Sequence, residues 1–235
     1  MWLQGLLGGP LLGELPAFQP RYNIAPSQPV LAASWDHQRQ GIRLEYLRWG
    51  LVPSWADNPT IAHRLSNARW ETLSEKLSFR EPFRCGRCLV LADGYYEWQA
   101  MDRRRKQAFW IHRPDEAPLV MAGISACNQR IDPQHPLRTV AIVTCPSTPT
   151  LSAIHPRMPL VLHTHQQLAS WLAEGSLASD LCEKIFQPPP LDYFNARPVS
   201  DRVNRPVHDD PACLGPGMPS ALRSTGNDGP VVPDI

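Results

Sequence analysis

The chain has 235 residues, 43% of them hydrophobic and 19% charged, which is typical of a globular protein. We predict one large domain with a substantial core. Its 23 basic and 22 acidic residues leave a formal net charge of +1. This excludes a broadly basic nucleic-acid-binding protein, so any such site must be a local patch. No apolar run approaches the roughly 18 residues of a membrane helix, and the six scattered cysteines fit reduced thiols, so we expect a cytoplasmic protein.

Short β-rich runs, most of them bounded by turn residues or charge clusters, predict strands. In chain order they cover residues 30–35, 44–51, 88–98, 108–112, 119–125 and 139–144. Within the third run, Asp93-Gly94 is a turn signal that would end or bend the strand. Regular crossover helices do not separate these runs, so we predict an α+β fold on a mostly antiparallel sheet or open barrel, with a few flanking helices.

Helical patterns are fewer. Leu73 and Leu77 lie four residues apart and predict a helix over residues 70–78. Thr164 and Gln167 resemble a capping box that opens a helix over residues 167–172. A further short helix is predicted over residues 179–186, because the three prolines at 188–190 would end it.

The two ends of the chain differ from its centre. Residues 1–19 form an atypical amino-terminal segment, and residues 20–211 form the predicted domain. Residues 212–235 are rich in proline and glycine and hold little that could form a core. We expect them to be a disordered tail.

Two short blocks carry groups suited to proton transfer. Glu97 stands between Tyr96 and Trp98, and apolar surroundings would disfavour its ionisation and make it a usable general acid or base. The alternative is a surface glutamate that alternates with buried aromatic residues along a strand. His155 precedes Pro156, which holds it out of a helix; a histidine there can pass protons near neutral pH, or it can be purely structural.

A third block pairs an amide with a guanidinium group. Asn67 and Arg69 lie at i and i+2, so on an extended segment both side chains would point to the same face and could orient an oxygen and neutralise a phosphate. Arg157 could bind a phosphate or carboxylate, or form only a surface ion pair. For Glu71 a structural role in the first turn of a helix is preferred.

Other features carry weaker signals. Cys85-Gly86-Arg87-Cys88 has the spacing of half a zinc site, but the other two ligands are missing, so we predict no metal. Of Trp49 and Trp55, one could lie in the core and the other could stack on a base.

Taken together, a series of ordered blocks between residues 20 and 211 resembles the SOS response-associated peptidase (SRAP) family. The blocks are Arg21-Tyr22-Asn23-Ile24-Ala25-Pro26, Arg48-Trp49-Gly50-Leu51-Val52-Pro53-Ser54-Trp55, Asn67-Ala68-Arg69, Ala92-Asp93-Gly94-Tyr95-Tyr96-Glu97-Trp98 and Ile154-His155-Pro156-Arg157-Met158-Pro159. The resemblance implies a single α+β domain around a distorted β-barrel. It also implies a protein that senses abasic sites in single-stranded DNA, can link to them covalently, and needs no cofactor. We expect a monomer.

In that family the mature chain begins with a cysteine, whose amine and thiol capture the ring-opened sugar aldehyde as an imine and then as a thiazolidine. The same cysteine processes the amino end, which explains the peptidase label. Carried over by motif, Asn67 would orient the sugar, Glu97 would move protons during ring opening and imine chemistry, and His155 would assist ring opening and later reversal.

The resemblance also implies how the DNA strand is held. Arg69 and Arg157 would bind the phosphates that flank the abasic site. Trp55 would sit where the strand bends.

The amino end departs from the family pattern. The resemblance implies Met-Cys-Gly-Arg, whereas the sequence reads Met1-Trp2-Leu3-Gln4 and reaches Arg21 sooner. Three explanations compete: a wrongly assigned start or altered upstream segment, a degenerate relative that still binds DNA, and an internal thiol such as Cys145 or Cys88, which offers no free amine.

The function therefore stays open between two classes. One is an enzyme of hydrolase or lyase type that crosslinks abasic DNA, provided that the true amino end carries cysteine. The other is a binding module for single-stranded DNA without chemistry. A conventional protease is a third possibility, but no Ser-His-Asp set is evident.

Overall fold

The computed structural model describes residue 5 and residues 8–103, 105–175 and 185–217. The strands are β1 Leu11–Leu12, β2 Pro29–Asp36, β3 Gly41–Trp49, β4 Asn67–Arg69, β5 Arg87–Ala92, β6 Gly94–Ala100, β7 Lys106–His112, β8 Leu119–Asn128, β9 Leu137–Pro146, β10 Arg157–Pro159 and β11 Asn195–Pro198. The α-helices are α1 Leu77–Cys85, α2 Pro149–Ser152 and α3 His165–Leu172. The 3-10 helices are η1 Pro59–Arg64, η2 Trp70–Thr72, η3 Asp201–Asn204 and η4 Pro211–Leu214.

The larger sheet contains a closed ring of hydrogen-bonded strands. In it β3 pairs antiparallel with β2, β2 with β5, β5 with β8 and β8 with β9. The ring closes where β9 pairs in parallel with β3, at Arg48 with Thr139 and at Trp49 with Val140. The predicted α+β class and mostly antiparallel sheet are confirmed, and this ring is the form that the predicted barrel-like sheet takes.

A smaller sheet packs beside the ring and has the order β11–β7–β6, with both pairings antiparallel. One of its faces joins the main core through Ile111. The other face carries Ala108, which packs with Val199, Val203 and Cys213 in a second core. The smaller sheet therefore packs against a hydrophobic core on each face, and the second core includes Val199, Val203 and Cys213 from the last part of the described chain.

The main core is built from the strands of the ring and closed by α3. Its buried members include Ile42, Leu89, Ile124 and Val140, one from each of four ring strands. Trp171 of α3 is fully buried, and its indole N–H donates to the Cys88 carbonyl at 2.9 Å. A buried tryptophan usually finds such a partner because an unpaired N–H away from water is costly.

The strand predicted over residues 88–98 is two strands in two different sheets. Strand β5 ends at Ala92 in the ring, and β6 starts at Gly94 in the smaller sheet. The turn signal at Asp93-Gly94 marks this change of sheet. A Cβ at Gly94 would lie 2.4 Å from Trp110 Nε1, so the chain can cross here only because glycine lacks that atom.

The helix predicted over residues 70–78 is wrong. Trp70–Thr72 form only a 3-10 turn, and the helix α1 runs from Leu77 to Cys85. The spacing of Leu73 and Leu77 misled the prediction, because Leu73 is buried whereas Leu77 is 63% exposed. The buried face of α1 is instead formed by Phe79 and Pro82.

The predicted capping box is confirmed, and its helix α3 begins two residues earlier than expected, at His165.

Of the helix predicted over residues 179–186, all but the last two residues lie outside the described residues. In the predicted tail, Pro211–Leu214 form η4, and Pro216 bridges to Val199; residues 218–235 lie outside the described part.

None of the helices in the described ranges is both long enough and apolar enough to span a membrane.

Two threonines at helix N-caps allow a matched test of the capping box. Thr164 Oγ1 accepts from the Gln167 N–H at 3.2 Å, whereas Thr148, the N-cap of α2, makes no such bond and buries its hydroxyl without a partner among the described residues. We expect Thr164→Val to lower the free energy of unfolding by about 1 kcal/mol. Thr148→Val should leave it unchanged or raise it. Urea denaturation measures both, and equal losses in the two variants would contradict the assignment.

Candidate active site and nucleic-acid interface

A large open cleft of about 1710 Å³ lies where the two sheets meet. Five of the six residues predicted from the sequence line it: Asn67, Arg69, Glu97, His155 and Arg157. They come from three distant parts of the chain. Trp55 is 42% exposed but is not among the residues described as lining the cleft, so its role where the strand bends stays a prediction.

Strand β4 presents the amide and one guanidinium group. Asn67 and Arg69 are exposed, and Ala68 between them is buried, so the two side chains share one face as their i, i+2 spacing predicted. The strand lies parallel to β9, with Arg69 opposite Thr144. This pairing fixes Asn67 and Arg69 along the cleft.

Strand β6 presents the carboxylate of Glu97. Alternation along the strand puts Tyr95 and Glu97 on one face and Tyr96 and Trp98 on the other, where both aromatic rings pack on the second core. Burial raises the pKa of Glu97 above its ordinary value, and the Trp98 N–H and the charge of His155 only partly offset this effect. Glu97 is therefore not the surface residue of the alternative interpretation, since its side chain is only 23% exposed.

His155 meets Glu97 across the two sheets. The distance from His155 Nδ1 to Glu97 Oε2 is 3.6 Å. His155 Nδ1 also lies 2.9 Å from the Arg157 carbonyl oxygen and 3.2 Å from the Arg157 N–H. A carboxyl group with a raised pKa beside an imidazole can hold and move a proton within the cleft.

Arg157 is held tightly by the protein. Its Nη1 and Nη2 donate to the two carboxylate oxygens of Glu71, each at 2.9 Å, and Nη2 also donates to the Thr144 carbonyl at 2.7 Å. Glu71 does lie in the first turn of a helix, η2, as predicted. Sequence reasoning missed its pairing with Arg157, because 86 residues separate them and no local pattern links them.

Residues 21–23 form part of the cleft wall. They are held by a set of hydrogen bonds from Asn23 and to Asp209, here called the clasp, which sequence reasoning also missed. The Asn23 side-chain amide donates to the carbonyl groups of Val203, Arg205 and His208 at 3.0–3.3 Å. In return the Asp209 carboxylate accepts from the backbone N–H of Asn23 at 2.8 Å and pairs with Arg21. These residues are thus structural, and they tie the cleft wall to the last described part of the chain.

The two internal thiols considered as substitutes for an amino-terminal cysteine are poor nucleophiles. Cys88 and Cys145 are buried, and burial raises their pKa to about 12 and about 11. Both therefore stay protonated at neutral pH, which disfavours them as substitutes for an amino-terminal cysteine. Among the described residues, no group of three or more His, Cys, Asp and Glu side chains is arranged to hold a metal ion.

The family model for SOS response associated peptidase (SRAP) matches residues 12–206. The chain belongs to this family. Within the SRAP family, it is 36% identical to the abasic site processing protein YoqW of Bacillus subtilis over 197 residues, which cover 84% of this chain and 86% of that protein. It is 33% identical to the abasic site processing protein HMCES of Gallus gallus over 241 residues, covering 89% and 71% of the two chains.

The fold has a solved counterpart in a crystal structure of a protein from Bacteroides thetaiotaomicron. The TM-score is 0.70 at 26% identity, and the match covers 82% of each chain. The region matched by the SRAP family model includes strands from both sheets, and it contains the described cleft-lining residues except Leu214.

The raised pKa of Glu97 predicts how stability depends on pH. The native state holds the Glu97 proton more tightly than the unfolded state, so stability falls as the pH rises from the unfolded value through the folded one. Glu97→Gln cannot ionise, so we expect it to remove this fall and to be more stable than the wild type at neutral pH. Urea denaturation from pH 4 to pH 8 measures the effect, with exposed Glu75→Gln as the control. A variant that is less stable at every pH would contradict the burial argument.

Proposed function

We propose that the protein processes abasic sites in single-stranded DNA by covalent attachment. The observation that carries the proposal is the contact of Glu97 with His155 inside a cleft that also holds Asn67 and Arg69. The relatives named as abasic site processing proteins support abasic sites as the substrate.

In the proposed reaction, each of these side chains either transfers a proton or orients the sugar. An amine attacks the aldehyde carbon of the ring-opened sugar, water leaves to give an imine, and a thiol then adds to the imine carbon. Glu97 in its protonated form would deliver the proton that the departing water needs, and His155 would take or return protons at the sugar ring. Asn67 would hold a sugar oxygen, because an amide can both donate and accept.

Arg69 is better placed than Arg157 to bind a phosphate. It is exposed on the cleft lip, whereas Arg157 already satisfies most of its N–H groups within the protein. One N–H of Arg157 Nη1 remains for a flanking phosphate. Because one chain supplies all five of these residues, we propose a monomer as the acting form. The free cysteines among the described residues fit a reducing compartment, so we propose a cytoplasmic location.

A second candidate is a single-stranded DNA-binding module without chemistry. It is favoured by the two internal thiols considered as substitutes, Cys88 and Cys145, because both are buried and stay protonated at neutral pH. Self-processing of the amino end, implied by the peptidase label, belongs to the first candidate because it needs the same amino-terminal cysteine.

A denaturing gel separates the two candidates. The chain is incubated with a single-stranded oligonucleotide that carries one abasic site, beside a version whose amino end is replaced by a Met-Cys-Gly-Arg segment. A slow-migrating adduct in the replaced version supports the enzyme. Its absence in both, with binding retained, supports the module.

In the adduct-forming version, we expect Glu97→Gln and His155→Ala to slow adduct formation by about 100-fold, because each removes a general acid or base. DNA affinity, measured by fluorescence anisotropy, should change less than about threefold, since neither side chain is assigned to a phosphate. Equal losses of rate and affinity would count against the assigned roles.

Arg69→Ala should weaken binding of single-stranded DNA at every sequence tested. We expect the slope of log K against log salt concentration to fall by about 0.7, the value for one lost phosphate contact on a single strand. Arg130→Ala is the matched control, because Arg130 pairs with Asp57 and is not among the described cleft-lining residues. An unchanged slope for Arg69→Ala would remove its phosphate role.

A further inference from the structure

Glu71 and Arg157 form a clamp across the end of strand β9. Thr144 of β9 pairs with Arg69 of β4 on one side and with Pro159 of β10 on the other. Glu71 follows β4 by two residues, and Arg157 starts β10, so their side chains meet beside Thr144. The two oxygens of Glu71 and the two terminal nitrogens of Arg157 form parallel hydrogen bonds, the strongest geometry for this pair of groups.

The clamp is anchored on the buried strand. Arg157 Nη2 donates to the Thr144 carbonyl at 2.7 Å, and Nε lies 3.4 Å from Thr144 Oγ1. The Arg157 side chain is only 21% exposed, and Glu71 covers it from the solvent side at 45% exposure. The Arg157 hydrogen bond holds the pKa of Glu71 below its ordinary value, so Glu71 stays ionised.

The main chain carries this restraint from Arg157 to His155. Nδ1 of His155 faces two acceptors, the Arg157 carbonyl at 2.9 Å and Glu97 Oε2 at 3.6 Å, and one donor, the Arg157 N–H at 3.2 Å. The shorter contact favours a proton on Nδ1, because the Arg157 carbonyl oxygen can only accept. In that tautomer Nε2 is left with a free lone pair, the form that accepts a proton from a substrate.

We propose that Glu71 is a positioning residue for His155. By clamping the Arg157 side chain, Glu71 fixes the Arg157 carbonyl that selects the Nδ1–H tautomer and the orientation of the His155 ring. It acts through Arg157 and does not touch the substrate. The effect of this tautomer on the reaction rests on the proposed function. The tautomer itself does not, because it exists in the protein without DNA.

The first test uses the full chain without DNA. Long-range ¹⁵N–¹H spectra of the imidazole rings report the tautomer, and comparison with His155→Ala assigns the His155 signals. At a pH where His155 is neutral, we expect the Nδ1–H pattern in the wild type and in Glu75→Gln, which removes an equal charge a few residues away. Glu71→Gln should shift the pattern toward a mixture of tautomers. A Glu71→Gln spectrum identical to the wild type, or a wild type in the Nε2–H form, would overturn the proposal.

The second test uses the version that carries the Met-Cys-Gly-Arg amino end and the abasic oligonucleotide. We expect Glu71→Gln to slow adduct formation by about tenfold, because misplacing a reacting group by 1 Å can cost about 100-fold. DNA affinity should not fall, since the change removes a negative charge beside a cation. Loss of rate and affinity in parallel would indicate a merely structural role and overturn the proposal.

The two tests separate the possible failures. If the version with an unaltered clamp forms no adduct, the proposed function fails, and the imidazole spectra still decide whether Glu71 positions His155. If adduct forms and Glu71→Gln leaves both rate and spectrum unchanged, only the role of Glu71 fails.

Discussion

The hydrogen bonding of strand β9 on both edges is the constraint on which the cleft depends. One edge pairs first with β3 and then with β4, and the other pairs first with β8 and then with β10. Most of the strand is buried, so its N–H and C=O groups need these partners. Because β4 and β10 are both set by β9, the segments that carry Asn67 and Arg157 hold a fixed distance from each other.

The carboxylate comes from the other sheet, and this origin explains its electrostatics. Glu97 lies on the face of β6 that turns toward the ring, where burial disfavours its charge. Ionisation of Glu97 at this site costs stability, because the folded state favours the protonated form. Elsewhere along the cleft, the clasp of Asn23 and Asp209 joins the cleft wall to residues 203–209 through several hydrogen bonds.

Three charged side chains lie beside β9 and differ in their contacts: Arg69, Arg157 and Glu71. Arg69 is exposed on the cleft lip, whereas Arg157 donates hydrogen bonds to Glu71 and Thr144. Two arginines that look equivalent in the sequence are therefore unequal in the fold. One side chain is open to the cleft, and the other is bound within the protein two residues after His155.

Local features could be predicted from the sequence alone. The turn at Asp93-Gly94, the capping box at Thr164 and the shared face of Asn67 and Arg69 depend on residues close in the chain, where geometry follows from periodicity and turn chemistry. The family resemblance needs no geometry, because it rests on the identity and order of the blocks. The helix prediction over residues 70–78 was wrong, because Leu73 is buried by contacts with residues far away in the chain and Leu77 is exposed. Three features depend on long-range packing: β5 and β6 enter different sheets, Glu71 holds Arg157 across 86 residues, and Glu97 is largely buried beside His155. Each of these is a long-range contact, and local sequence patterns carry no record of which distant surfaces meet.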